Sequence, residues 1–142
     1  MKHAYIDWES FSSVDIRSGG AYHYVDSPDF EIMLAAYSAD SRAVKVFDLK
    51  TEAYEDPLFN PHDVNQLPPE LRAILTNNEY LIYAHNAQFE RLCIRKMWGL
   101  DIPISRFRCV MVHGLYCGLP SSLSDVGMAL RIPEDKRKLA TG

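Results

Sequence analysis

The segment His3-Ala4-Tyr5-Ile6-Asp7-Trp8-Glu9-Ser10 constrains this chain more than any other because it alternates in polarity. Side chains two apart on a strand share a face, so Ala4, Ile6 and Trp8 form an apolar face while Tyr5, Asp7 and Glu9 form the opposite one. Such a strand packs one face against a core. Its other face brings together two carboxylates that repel each other unless a cation sits between them.

The second informative segment is Tyr83-Ala84-His85-Asn86-Ala87-Gln88-Phe89-Glu90-Arg91, where an apolar strand runs into a helix with an acid in its first turn. The spacing predicts a helix from about residue 87 to 98. At about 100° per residue, Phe89, Cys93, Ile94 and Met97 fall on one arc with Glu90 inside it, and Arg91 and Arg95 point away. A carboxylate on an apolar face costs several kcal/mol unless it is paired, protonated or bound to metal. The alternative is an acid favoured by the helix dipole and turned to the solvent edge. On the first reading, three separated carboxylates converge on divalent metal.

Between and beyond these segments the pattern alternates. Gly19-Gly20 breaks the chain before Ala21–Val25, which reads as a short extended piece. Ile32–Tyr37 and Ala43–Leu49, joined by Ser38-Ala39-Asp40-Ser41, read as a hairpin with a longer loop, giving three antiparallel strands at the start. Residues 57 to 68 suit a surface connection. Pro69–Leu75 has proline in a first-turn position followed by helical spacing, and Tyr80–Ala84 reads as a central strand. Cys109–Tyr116 and Leu123–Leu130 are further helical candidates.

At 142 residues, 47% hydrophobic and 24% charged, the chain fits one globular domain with a core of its own. No apolar run is long enough for a membrane span, and acids stand where a signal peptide would need an apolar stretch. Together these favour a cytoplasmic protein. Three cysteines lack the spacing of a disulfide framework. A net charge of -4 argues against wrapping duplex DNA in a basic groove, but not against holding a strand end through metal ions.

The acids and their flanks resemble a known family. Asp7-x-Glu9, followed at long range by His85-Asn86-Ala87-x-Phe89-Glu90, looks like the first two motifs of the DEDD superfamily of 3'-5' exonucleases. Cys109-Val110-Met111-Val112, Tyr116-x-Gly118-Leu119-Pro120-Ser121-Ser122-Leu123 and the segment from Ile132 to Leu139 are similar to the exonuclease domain of bacteriophage-type family A DNA polymerases. The resemblance runs from about residue 4 to the end. It implies a ribonuclease H-like three-layer α/β fold with a mixed sheet, the first three strands antiparallel and the next parallel, flanked by helices. In the family a later helix carries a fourth acid with a tyrosine or histidine a few positions before it. This sequence stops at Thr141-Gly142, so the expectation is a domain of residues 1–142 lacking that last helix, exposing apolar surface near Asp7 and completed by the rest of a polymerase or a second copy. Asp125 is the nearest acid to stand in, but the resemblance assigns it to a small surface helix.

The chemistry implied is phosphodiester hydrolysis at a single-stranded DNA 3' end by two metal ions about 4 Å apart, with oxygen ligands suited to Mg²⁺ or Mn²⁺. Asp7 would bridge or anchor the ions, Glu9 would complete the hydrolytic side and orient water, and Glu90 would hold the second ion. His85, Asn86 and Phe89 would contact substrate, although a phenylalanine there is more often core than cleft, and a backbone-bonded histidine at a strand end is the plainer role for His85. Two other readings stay open: a catalytically impaired relative that only binds nucleic acid, metal or a partner, and another ribonuclease H-like nuclease with its acids organised differently.

Weaker constellations have ordinary explanations. Cys109, His113 and Cys117 recur every four residues, which suggests a soft-metal site but fits a core or interface stripe better, because one straight helix cannot wrap all its ligands around one ion. Alternation puts Trp8 in the core. Lys136, Arg137 and Lys138 could contact phosphates, yet they read as a solvated run.

Overall fold

A computed structural model describes residues 1–138. The readings made for Leu139 and for the chain end at Thr141-Gly142 lie outside the described residues. Five strands form one mixed sheet in the order β3-β2-β1-β4-β5. β1 (Lys2–Phe11) is the middle strand. It pairs antiparallel with β2 (Glu31–Ala39), which pairs antiparallel with β3 (Lys45–Asp48). On its other side β1 runs parallel to β4 (Tyr80–Ala84), followed by β5 (Phe107–Cys109), also parallel.

The alternation along β1 is realised as expected: Ala4, Ile6 and Trp8 are buried, and Tyr5, Asp7 and Glu9 are exposed. Opposite them on β2, Ala39, Tyr37 and Ala35 bury the same face. α3 (Pro69–Thr76) and α4 (Ala87–Trp98) cover it, contributing Leu71, Ile74 and Leu75 from one helix and Cys93, Ile94 and Met97 from the other. Trp8 packs edge-on against Trp98 with ring centroids 5.8 Å apart, which settles it as a core residue on the face away from the acids. On the acid-bearing face, Tyr5 (44% exposed) and Val46 (64% exposed) reach solvent, with Tyr5 stacked on Tyr83.

Four local expectations are corrected. Ala21–Val25 is helical and not extended: it lies in α1 (Ile16–Asp26), which the non-helical Gly20 (φ 75°, ψ 168°) divides into two short pieces, so the break at Gly19-Gly20 holds while the conformation after it differs. Val25, Phe30 and Tyr24 make that segment part of the core, since helix α1 packs on α4. The strand expected over residues 43–49 is limited to β3, because the Asp48 side chain accepts hydrogen bonds from the backbone N–H groups of Lys50 and Thr51 and starts α2 (Leu49–Glu55). Cys109 ends a strand and precedes α5 (Val110–Tyr116), so it does not continue that helix. Consequently Cys109, His113 and Cys117 do not share one helical face, and His113 and Cys117 are exposed, not part of a core stripe.

A buried arginine ties the far side of the fold together. Arg106 donates from Nε to the Tyr80 carbonyl (3.0 Å), and from its two terminal nitrogens to the carbonyls of Leu75 (3.1 Å) and Ile74 (2.7 Å). It thereby satisfies the last carbonyls of α3 and joins them to β4.

Candidate active site

The register of the parallel pair positions the site. Tyr5 of β1 lies beside Tyr83 of β4, and β4 ends one residue later while β1 continues. The β4–α4 junction therefore comes alongside Asp7, and the first turn of α4 reaches the acid-bearing end of β1. A β-bulge follows: Glu9 pairs with Leu34 and Ser10 with Ile32, leaving Met33 as the extra residue on β2.

α4 is anchored at both ends. Asn86 occupies the N-cap position, and Gly99 adopts the left-handed conformation (φ 63°) past the last turn, its N–H donating to the Arg95 carbonyl. The Asn86 side chain makes no capping hydrogen bond, so its amide remains available to the space in front of the helix. That space is a cleft of about 990 Å³ whose walls include Asp7, Glu9, His85, Asn86, Phe89 and Glu90. All six residues singled out from the sequence line it. The second wall comes from α6 (Leu123–Ala129), with Ser122 and Ser124, and from the turn that follows. Asp125, capped through its N–H by the Ser122 hydroxyl, is exposed and does not line the cleft.

Glu90 is the most unusual side chain in this cleft. It is 5% exposed, and its Oε2 has no hydrogen-bond partner among the described residues. Burial pushes its pKa up to about 7; its own backbone N–H opposes this, and the Asp7 carboxylate adds to the rise. Of the two positions left open by the sequence, the buried one is correct. Asp7 is also raised, first by desolvation and then by Glu9, against the lowering influence of Lys138 and His85. Among the described residues, no three His, Cys, Asp or Glu side chains stand as a ready-made metal-binding group. Asp7 and Glu9 are exposed on the cleft wall, so the three acids share one cavity without being drawn into one ligand set.

The remaining expected residues have defined settings. His85 shares its Nε2 with the Ser121 carbonyl (2.9 Å), which holds the junction to the turn before α6, and its buried Nδ1 has no partner among the described residues. Phe89 is half-buried, tilted against Tyr24 at 6.0 Å between ring centroids, so one residue serves both packing and cleft wall. Lys136, Arg137 and Lys138, which the sequence reading allowed as phosphate contacts but preferred as a solvated run, all line this cleft. Their signal was the change from two acids to three bases within Glu134-Asp135-Lys136-Arg137-Lys138.

Fold and cleft together define a mixed-sheet α/β protein with an acid-lined cavity at the end of its middle strand. No protein-family model matches the chain. It is similar, at 39% identity over 138 residues and 97% of its own length, to a DNA polymerase of Bacillus phage SP02. The chain spans 19% of that relative's length. Its whole cleft lies within a sequence related to a segment of a phage DNA polymerase. Among the described residues no helix is long and apolar enough to cross a membrane.

Proposed function

We propose that the chain is a 3'-5' exonuclease domain of a bacteriophage-type DNA polymerase, with a ribonuclease H-like fold, that removes nucleotides from single-stranded DNA 3' ends. The observation that carries this reading is the buried, unpartnered carboxyl oxygen of Glu90 in the same cleft as Asp7 and Glu9. A buried carboxyl without a donor is unfavourable by itself, and a divalent cation would relieve both that cost and the repulsion between Asp7 and Glu9. The donor set is all oxygen, which fits Mg²⁺ or Mn²⁺ held by Asp7, Glu9 and Glu90. Such ions, when bound, supply charge neutralisation for the phosphate and acidity for a water molecule.

The chain's own residues would do the rest. Glu9 and Asp7, exposed on the wall, accept hydrogen bonds from water and orient it toward phosphorus. A bond from that water oxygen to phosphorus forms as the bond from phosphorus to the 3' oxygen breaks. The products are a nucleoside 5'-monophosphate and a strand shortened by one residue, with the water proton passing to the 3' oxygen. Asn86 offers its uncommitted amide to the terminal nucleotide, and the ring of Phe89 offers a stacking surface of the kind that contributes about 1 to 3 kcal/mol per base. The remainder of a polymerase is the natural partner on this reading.

The decisive test is nucleotide release from a 5'-labelled single strand in Mg²⁺ or Mn²⁺, with Asp7→Ala, Glu9→Ala and Glu90→Ala as separate variants. The expected result is stepwise shortening from the 3' end, reduced at least a thousandfold by each variant. Release by the wild type that survives Asp7→Ala, or no release when the chain is joined to the rest of a polymerase, would refute it.

A further inference from the structure

We propose that Lys136, Arg137 and Lys138 form a phosphate-holding rim, facing the acids across the cleft, that grips the backbone of a single strand whose end reaches Asp7. This inference rests on the exonuclease reading, and it assigns to that site a cationic surface outside its acid motifs.

Three observations support it. First, the 3₁₀ turn Glu134–Lys136 sorts a mixed run of charge: the three bases line the cleft, and Glu134 and Asp135 do not. A merely solvated run would show no such segregation. Second, the turn and the Arg137 side chain are fixed in place. Backbone bonds from Lys136 N–H to the Pro133 carbonyl (2.9 Å) and from Arg137 N–H to the Glu134 carbonyl (3.2 Å) set the turn, and Arg137 Nε donates to the Ile132 carbonyl. The stem of Arg137 lies on Gly127, where a Cβ would come within 3.3 Å of its Cγ, so the absence of a side chain at 127 is what lets the arginine settle there. Third, the rim and the acids are one electrostatic system, since Lys138 is near enough to lower the pKa of Asp7. Among the described residues none of the three cations is engaged in an ion pair, which leaves their charge for a ligand.

The chemistry selects the ligand class. A cavity holding Asp7, Glu9 and Glu90 repels a polyanion, and a chain of net charge -4 provides no general attraction to offset that. Three consecutive bases at one edge give a phosphate backbone local attraction independent of base identity.

The test is fluorescence anisotropy of a 5'-labelled oligothymidylate in Ca²⁺ as a function of KCl, with wild type, Lys136→Gln/Lys138→Gln, the charge-retaining Lys136→Arg/Lys138→Arg, and Lys50→Gln as an off-cleft control. Each lost phosphate contact flattens the logarithmic salt slope by about 0.7 for single strands, so the glutamine pair is expected to flatten it by about 1.4. It should also weaken binding about tenfold or more at low salt, while the arginine pair and Lys50→Gln leave the slope unchanged. An unchanged slope in the glutamine pair, or no strand binding by the wild type, overturns the rim. Binding that follows this pattern, with no Asp7-dependent release in Mg²⁺ or Mn²⁺ even when the chain is joined to the rest of a polymerase, upholds the rim and rejects the exonuclease. Cleavage that depends on Asp7 with the slope unmoved does the reverse.

Discussion

Glu90 on α4, its pKa raised first by burial and further by the Asp7 carboxylate on β1, shares one cavity with an acid far from it in sequence. The parallel register of β1 and β4 produces this proximity. Its consequences can be measured without any assay of activity.

The pH dependence of stability should carry the signature of Glu90. Its carboxyl holds a proton up to about pH 7 in the folded state against an ordinary value of 4.5, so the folded state binds that proton more tightly than the unfolded chain. Stability from this group is complete below about pH 4.5 and is lost as pH rises through 7, a change on the order of 3 kcal/mol. Calorimetric melting between pH 5 and 8 should show the decline. Glu90→Gln, neutral at every pH, should remove it.

Divalent cations should reverse that decline. At pH 8, Mn²⁺ should raise the melting temperature of the wild type by several degrees, since a ligand that binds only the folded state stabilises it by mass action. Without metal, Asp7→Asn should be slightly more stable than wild type, by about 0.5 kcal/mol given the solvent screening of an exposed acid. The same variant should lose the response to Mn²⁺. Equal stabilisation of both proteins would place the ion elsewhere.

Arg106 should matter for folding and not for chemistry. Arg106→Ala strands the carbonyls of Ile74, Leu75 and Tyr80 in the interior. A loss of about 3 kcal/mol in urea denaturation is expected. Lysine cannot reproduce the fork of donors, so Arg106→Lys should recover less than half of it.

His85 should couple the strand end to the turn before α6. Removing its bond to the Ser121 carbonyl with His85→Ala should cost about 1 kcal/mol. Amide exchange at Ser121 to Ser124 should quicken more than in α3, which His85 does not touch. Uniform acceleration throughout would mean that the histidine supports the fold in general and not that turn.

Much of this architecture is legible in the residues, for identifiable reasons. β1 shows because its faces differ so sharply in polarity, and α4 shows because its apolar arc is long and ends at Gly99. The burial of Glu90 follows from the same arc. The second piece of α1 is hidden because it follows a true break at Gly20 and is too short to show a period, its helical turn being held by the packing of Tyr24 and Val25. α2 left a signal in Asp48, a capping residue ahead of Leu49-Lys50-Thr51. β5 is three residues long and has no periodicity to detect. The basic wall read as a solvated run because five consecutive charges look alike until the turn places the three bases, and not the two acids, along the cleft.

The middle strand gives alternate residues different settings, with Ile6 and Trp8 buried, Trp8 also reaching the cavity wall, and Asp7 and Glu9 exposed at the cavity. A slip of β1 by a single position against its neighbours would exchange the two sets, sinking charge into hydrocarbon and dissolving the interior at once. Correct threading of β1 therefore secures the interior and the acid-lined cavity together.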